Sequence, residues 1–149
     1  MKEQHLTRAR TLFNELSVEV VTASRFLGGC IGNEIEVQLF VQDRVKQWVD
    51  HVKCLAHAAP SYPQSAYAAF THSLSFEWPF LQRVVGGLED EYMPLRDVIH
   101  TVLAPAILGH EVLQNEHDLL SLPAKFGRLV LSDPVHSASI AYETSKKGD

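Results

Sequence analysis

Glu34-IEVQLFVQDRVKQWVDHVKCLAHA-Ala59 decides the fold class. Val37, Phe40, Val41, Val45, Trp48, Val52, Leu55 and Ala59 recur in it at three- and four-residue steps. That spacing lines one face of an α-helix and predicts a single long amphipathic helix. Pro60-Ser-Tyr-Pro63 ends it and starts the next, because proline fits a first helical turn.

Downstream the helical signal continues. Ala66, Tyr67, Phe70, Leu74 and Leu81 form a second stripe, which Pro79 should kink or split. After a break at Gly86-Gly87, Leu95, Val98, Ile99, Val102 and Leu103 form a third. A shorter helix is expected from Glu111 to Leu120, closed by Pro123, then an extended FGRLVL and a terminal helix from Val135 to Lys146. Upstream, Leu6, Ala9, Leu12 and Phe13 give a short N-terminal helix. Ser17 to Thr22 then reads as a strand, Ala23-Ser24 as a turn, and Arg25 to Ile31 as a second strand. The expected fold is mainly α: a short helix and a two-stranded β-hairpin in residues 1–33, then an antiparallel helical bundle in 34–149, in one structural unit.

Composition narrows the function. The chain has 149 residues, 46% of them hydrophobic, which suits one ordinary domain with a real core. A net charge of −5 argues against a broadly basic nucleic-acid binder, but not against a local basic strip. No apolar run is long enough to span a membrane, and MKEQHLTRAR lacks the apolar core of a secretory signal. Cys30 and Cys54 have no metal-ligand spacing and read as reduced thiols of an intracellular protein.

The chemical motifs are sparse. SRFLGGCIG carries three glycines, yet Gly32 is followed by Asn33 and Glu34, not by the Lys-Ser/Thr of a phosphate loop. A bent strand in which Gly28 and Gly29 admit a close backbone is the plainer account. His51 and His57, or His110 and His117, are too far apart along a helix to share a metal ion. Glu89-Asp90-Glu91 reads as acids at a helix start, offsetting the dipole. Trp48, Trp78, Tyr67, Phe70 and Phe80 could stack bases, but their helical spacing favours a core.

Five runs, in order, resemble the C-terminal part of retrotransposon reverse transcriptase domains of the non-LTR kind. They are LFNELSVEVVTASRFLGGCIG, VKQWVDHVKCLA, PQSAYAAFTHSLSFEWPFLQR, PLRDVIHTVLAPAILG and LLSLPAKFGRLVLSDP, spanning about Leu12 to Lys147. The resemblance implies the end of the palm followed by a helical thumb, as a truncated piece of such a polymerase. Leu27, Gly28, Gly29 and Gly32 would mark the palm–thumb junction. Arg25, Lys46, Lys53, Arg83 and Arg96 would contact the phosphates of an RNA–DNA or DNA duplex.

The family's metal-binding carboxylates would lie upstream, in the missing palm and fingers, and no Asp-Asp pair occurs here. The chain alone is therefore expected to be inactive and to hold no cofactor, although the complete polymerase would use Mg²⁺. Gly127-Arg128-Leu129-Val130 also departs from the family's Gly-Gly-Leu-Gly turn, and Ala23 stands where relatives carry glycine. A hairpin deprived of its palm sheet would expose apolar surface and promote homo-oligomers. The alternative reading is a non-catalytic helical module that binds proteins through its amphipathic faces. A metal or nucleotide enzyme is disfavoured by the spacings above.

Overall fold

The computed structural model describes residues 2–14, 19–113 and 131–147. The molecule is mainly helical, with a short N-terminal helix, a two-stranded antiparallel hairpin and then several helices. It divides into two compact units, Met1–Val37 and Gln38–Asp149.

In the first unit, α1 (Lys2–Asn14) half-buries Leu6 and Ala9 but leaves Leu12 and Phe13 exposed. The hairpin pairs β1 (Ala23–Phe26) with β2 (Gly29–Gly32), placing Arg25 opposite Cys30 and Ala23 opposite Gly32. This corrects the expected register. Glu19–Thr22 is not a strand, Ser17 and Val18 lie outside the described residues, and Ala23-Ser24 belongs to β1. The turn is Leu27-Gly28, with φ of 49° and 85°. A two-residue turn of this kind needs positive φ at both central positions, which glycine adopts without strain and Ala23-Ser24 would not. Gly28 therefore fixes where the chain reverses.

The same unit opens α2 (Glu34–Ala58). Asn33 caps it, its Oδ1 accepting the Glu36 backbone N–H at 2.9 Å. Glu34 and Glu36 occupy the first turn, where acids offset the helix dipole. Glu36 also accepts the Thr22 hydroxyl at 2.7 Å. The glycine-rich stretch thus leads into a helix start already filled by side chains.

In the second unit, α2 buries Val41, Val45, Trp48 and Val52 of the predicted stripe and Ala56 besides, while Phe40 and Leu55 are only half-buried. Pro63 opens α3 (Pro63–His72), which buries Ala66 and Phe70. The expected break at Pro79 comes earlier: α3 stops at His72, a 3₁₀ turn covers Leu74–Phe76, and α4 runs from Glu77 to Val84. Proline cannot donate to the carbonyl four residues back, so the helix restarts with Pro79 inside its first turn.

A 3₁₀ turn (Glu89–Tyr92) then leads into α5 (Met93–Val98), a π-helical turn (Ile99–Leu103) and α6 (Ala104–Leu108). The single expected stripe, Leu95 to Leu103, is therefore wound two ways, α-helical and then π-helical. Pro105 has no N–H for the Thr101 carbonyl, and the Ala104 N–H reaches five residues back, to Ile99. Glu111–Leu113 is not helical, contrary to the expected helix; its remainder, Pro123, the Gly127-Arg128 turn and most of FGRLVL lie outside the described residues. The terminal helix, α7, spans Pro134–Lys147, with the Asp133 carboxylate accepting the Val135 N–H at 2.9 Å.

The core is aromatic at its centre, where ring pairs add to simple area burial. Trp48 meets Trp78 edge-on with centroids 6.1 Å apart. Tyr92 stacks on Trp48 at 6.5 Å, and Phe70 lies 6.0 Å from Trp78. Leu95, Ile99, Leu103 and Leu131 complete it. α7 packs on α4 and on the Glu89–Val98 segment, and α3 packs on α6. Gly86 faces the Tyr142 ring so closely that a Cβ there would fall inside it.

Candidate nucleic-acid interface

Lys46 and Lys53 stand two turns apart on α2, both exposed, on a row flanking its buried stripe. That separation is about 10 Å along the axis. Among the described residues neither lysine makes an ion pair. The acids between them limit the positive field. Asp43 accepts from the Gln47 amide at 3.2 Å, and Gln47 accepts from Arg44 at 3.1 Å. The Arg44 guanidinium also lies 5.8 Å from the Trp48 ring centroid, within cation–π range. Asp50 is exposed between the lysines and pairs with neither.

The other expected cations are dispersed. Arg25 is exposed on β1, in the first unit. Arg83 is exposed in the last turn of α4. Arg96 is half-buried on α5, its guanidinium 3.6 Å from the carboxylate of the adjoining Asp97. Such a partly exposed pair contributes little to stability, but it offsets part of the arginine's charge. Arg83 and Arg96 thus stand on other elements than Lys46 and Lys53, which share α2.

The junction residues occupy the hairpin. Leu27 and Gly28 make the turn, buried Gly29 opens β2, and Gly32 ends it. A Cβ on Gly32 would collide with that of Ala23 across the ladder. Small residues at both positions let the strand ends close together.

The aromatics sort clearly. Trp48, Trp78 and Phe70 are core, Tyr67 is half-buried, and Phe80 is exposed. Two polar links escape the periodicity analysis. The Trp48 indole N–H donates to Glu77 at 2.7 Å, tying α2 to the start of α4. Gln82, fully buried, donates to the Pro134 carbonyl at 2.8 Å and accepts the Ser137 hydroxyl at 2.9 Å, clamping α7 onto α4. Nothing in the residue types flanking Gln82 distinguishes it from a surface glutamine.

Glu89-Asp90-Glu91, the densest acidic run, forms a 3₁₀ turn in which Glu91 accepts the Gln38 amide at 2.6 Å. Among the described residues no three His, Cys, Asp or Glu side chains converge as a metal site. Cys30 and Cys54 are free thiols, and no described helix is long and apolar enough to cross a membrane.

A cleft of about 640 Å³ opens where the α2–α3 connection meets α6, lined by Ala59, Pro60, Pro63, Pro105 and Ile107. At its rim His110 Nδ1 lies 3.0 Å from the Glu111 carbonyl, so that nitrogen is engaged by backbone. Set against known proteins, the chain matches no family model, and no curated protein or solved structure is detectably similar to it.

Proposed function

We propose that this chain is the palm-end and thumb portion of a retrotransposon reverse transcriptase, a non-catalytic piece that grips a template–primer duplex by its backbone. The observation that carries the reading is the pair Lys46 and Lys53, exposed, without ion pairs among the described residues, and two turns apart on α2. The order of elements supports it as well: a glycine-turned hairpin at SRFLGG runs directly into that helix. Lysines so placed reach phosphates, not base edges, and would hold a duplex without reading its sequence. Palm and fingers residues would supply the carboxylates and Mg²⁺ for chemistry, with this piece positioning the duplex against them.

The test is a fluorescence-anisotropy titration of a labelled RNA–DNA hybrid at low and moderate salt. Micromolar binding is expected, weakening steeply as salt rises because phosphate contacts release counterions. Replacing both Lys46 and Lys53 with Glu should lower affinity at least about tenfold and flatten the salt dependence by roughly two contacts' worth. No binding at low salt, or equal affinity in the double variant, would overturn the reading.

A further inference from the structure

A second surface, on α4 and α7, has a different chemistry. The core face of α4 carries Trp78, Leu81 and Gln82, yet Phe80 and Val84 on the helix, with Phe76 at its N-cap, form an i, i+4, i+8 row that is 48%, 50% and 68% exposed. A groove of about 500 Å³ lies between α4 and α7, and Pro79 and Arg83, which line it from α4, are the chain neighbours of Phe80 and Val84. Pro79, Ile140 and Ala141 give it an apolar lining, and Arg83 and His136 are the ionisable residues among those that line it. Ile140 is itself 50% exposed, so the apolar surface crosses from one helix to the other.

Gln82, Ser137 and Thr144, three of the groove's polar residues, are bonded within the fold. Both ends of the Gln82 amide are bonded inside the α4–α7 contact, and the Thr144 hydroxyl donates to the Ile140 carbonyl. Arg83 makes no ion pair among the described residues. Among the described residues no carboxylate lines the groove, so Arg83 sets its charge, with Glu143 exposed one turn further along α7.

We propose that the α4–α7 face docks an acidic amphipathic helix from a partner protein. The partner's apolar side chains would sit on Pro79, Ile140 and the Phe76–Phe80–Val84 row, and its carboxylates would meet Arg83. A helix suits the site because an i, i+4 ridge packs into the groove between rows of a second helix. The apolar lining separates this occupant from a nucleic-acid duplex, whose bases are already stacked on one another and whose backbone offers phosphate and sugar. An apolar patch with a cationic border marks interaction surfaces in general.

The probe is a fluorescein-labelled 16-residue peptide with Leu at helical spacing and Glu on its remaining face, titrated with the whole chain. A charge-reversed peptide, with Lys replacing Glu, is the comparison. The acidic peptide should bind with micromolar affinity and the basic one at least tenfold more weakly. Arg83→Glu should weaken the acidic peptide about tenfold and strengthen the basic one, and Ile140→Glu should abolish binding of both. Phe80→Glu, on the exposed row, is the second variant should Ile140→Glu disturb α7. Equal binding of the two peptides, or no effect of Arg83→Glu, overturns the proposal. So does displacement of the peptide by RNA–DNA hybrid in the Lys46→Glu/Lys53→Glu variant, which would make the groove a phosphate site. Self-association of the chain that Phe80→Glu abolishes, with no peptide bound at any concentration, would overturn the proposal and assign the face to a second copy instead.

Discussion

Tyr92 shows what a single residue contributes and what burial does to it. The ring is 1% exposed and stacks on Trp48, but its hydroxyl has no hydrogen-bond partner among the described residues. Burial, with the nearby Glu89 charge adding to it, holds the phenol above its ordinary range and keeps it neutral. A buried, unpaired hydroxyl carries a desolvation penalty that phenylalanine would not incur. Tyr92→Phe should therefore be neutral or stabilising by up to about 1–2 kcal/mol in urea unfolding, where most core substitutions destabilise. The pH dependence gives a second readout. Above about pH 10 the unfolded tyrosine loses its proton while the folded one keeps it, so the unfolded state is favoured. Wild-type stability should fall there by up to about 1.4 kcal/mol per pH unit relative to Tyr92→Phe. A destabilised variant with an unchanged alkaline profile would mean that the hydroxyl has a partner. Sequence periodicity marks Trp48, Trp78 and Phe70 as core, yet gives no such signal for Tyr92, which follows an acidic run within a 3₁₀ turn.

Among the elements, helices are legible in the sequence and their interruptions only partly so. The α2 stripe appears directly in the spacing of Val41, Val45, Trp48 and Val52, because burial alone selects those positions. Pro79 signals a disturbance without giving its location, since a proline acts on the carbonyl four residues earlier and the helix rewinds to accommodate it, as it also does before Pro105. The hairpin departs from its sequence pattern for a different reason: β-branched residues in Ser17–Thr22 suggest a strand, while backbone conformation decides the turn. Leu27 at φ 49° is the weak point of that turn. Asparagine tolerates the left-handed region better than leucine and, before Gly28, makes the preferred two-residue turn. Leu27→Asn should therefore stabilise the hairpin by about 1 kcal/mol, slowing amide exchange at Ser24 and Ile31 about fivefold. Unchanged exchange at both amides would place the limiting strain elsewhere in the hairpin. The candidate interface is legible only as far as α2: helical spacing puts Lys46 and Lys53 on one side, whereas charge alone groups Arg83, Arg96 and Arg25 and carries no positional information.

For the whole molecule, the two units differ in how they are held together. Among the described residues, the hydrophobic core from Val41 to Ala138 belongs entirely to the second unit. Within the first, Leu12, Val21, Leu27, Ile31 and Ile35 are all at least half exposed, and an isolated two-stranded hairpin is marginal in water. The cooperative fold should therefore survive loss of residues 1–32. A chain beginning at Asn33 keeps the α2 cap and every core contact described above. Its unfolding free energy should lie within about 0.5 kcal/mol of the full chain's, as for changes remote from a core. In the full chain, amides of the hairpin should exchange through local opening well below the global free energy, whereas those around Trp48, Trp78 and Ile99 should exchange only on complete unfolding. A truncated chain that loses its cooperative transition would mean that the first unit completes the core. In that case the exposed apolar residues of the hairpin would belong to the folding of the chain itself, and not to a surface left for a larger protein to cover.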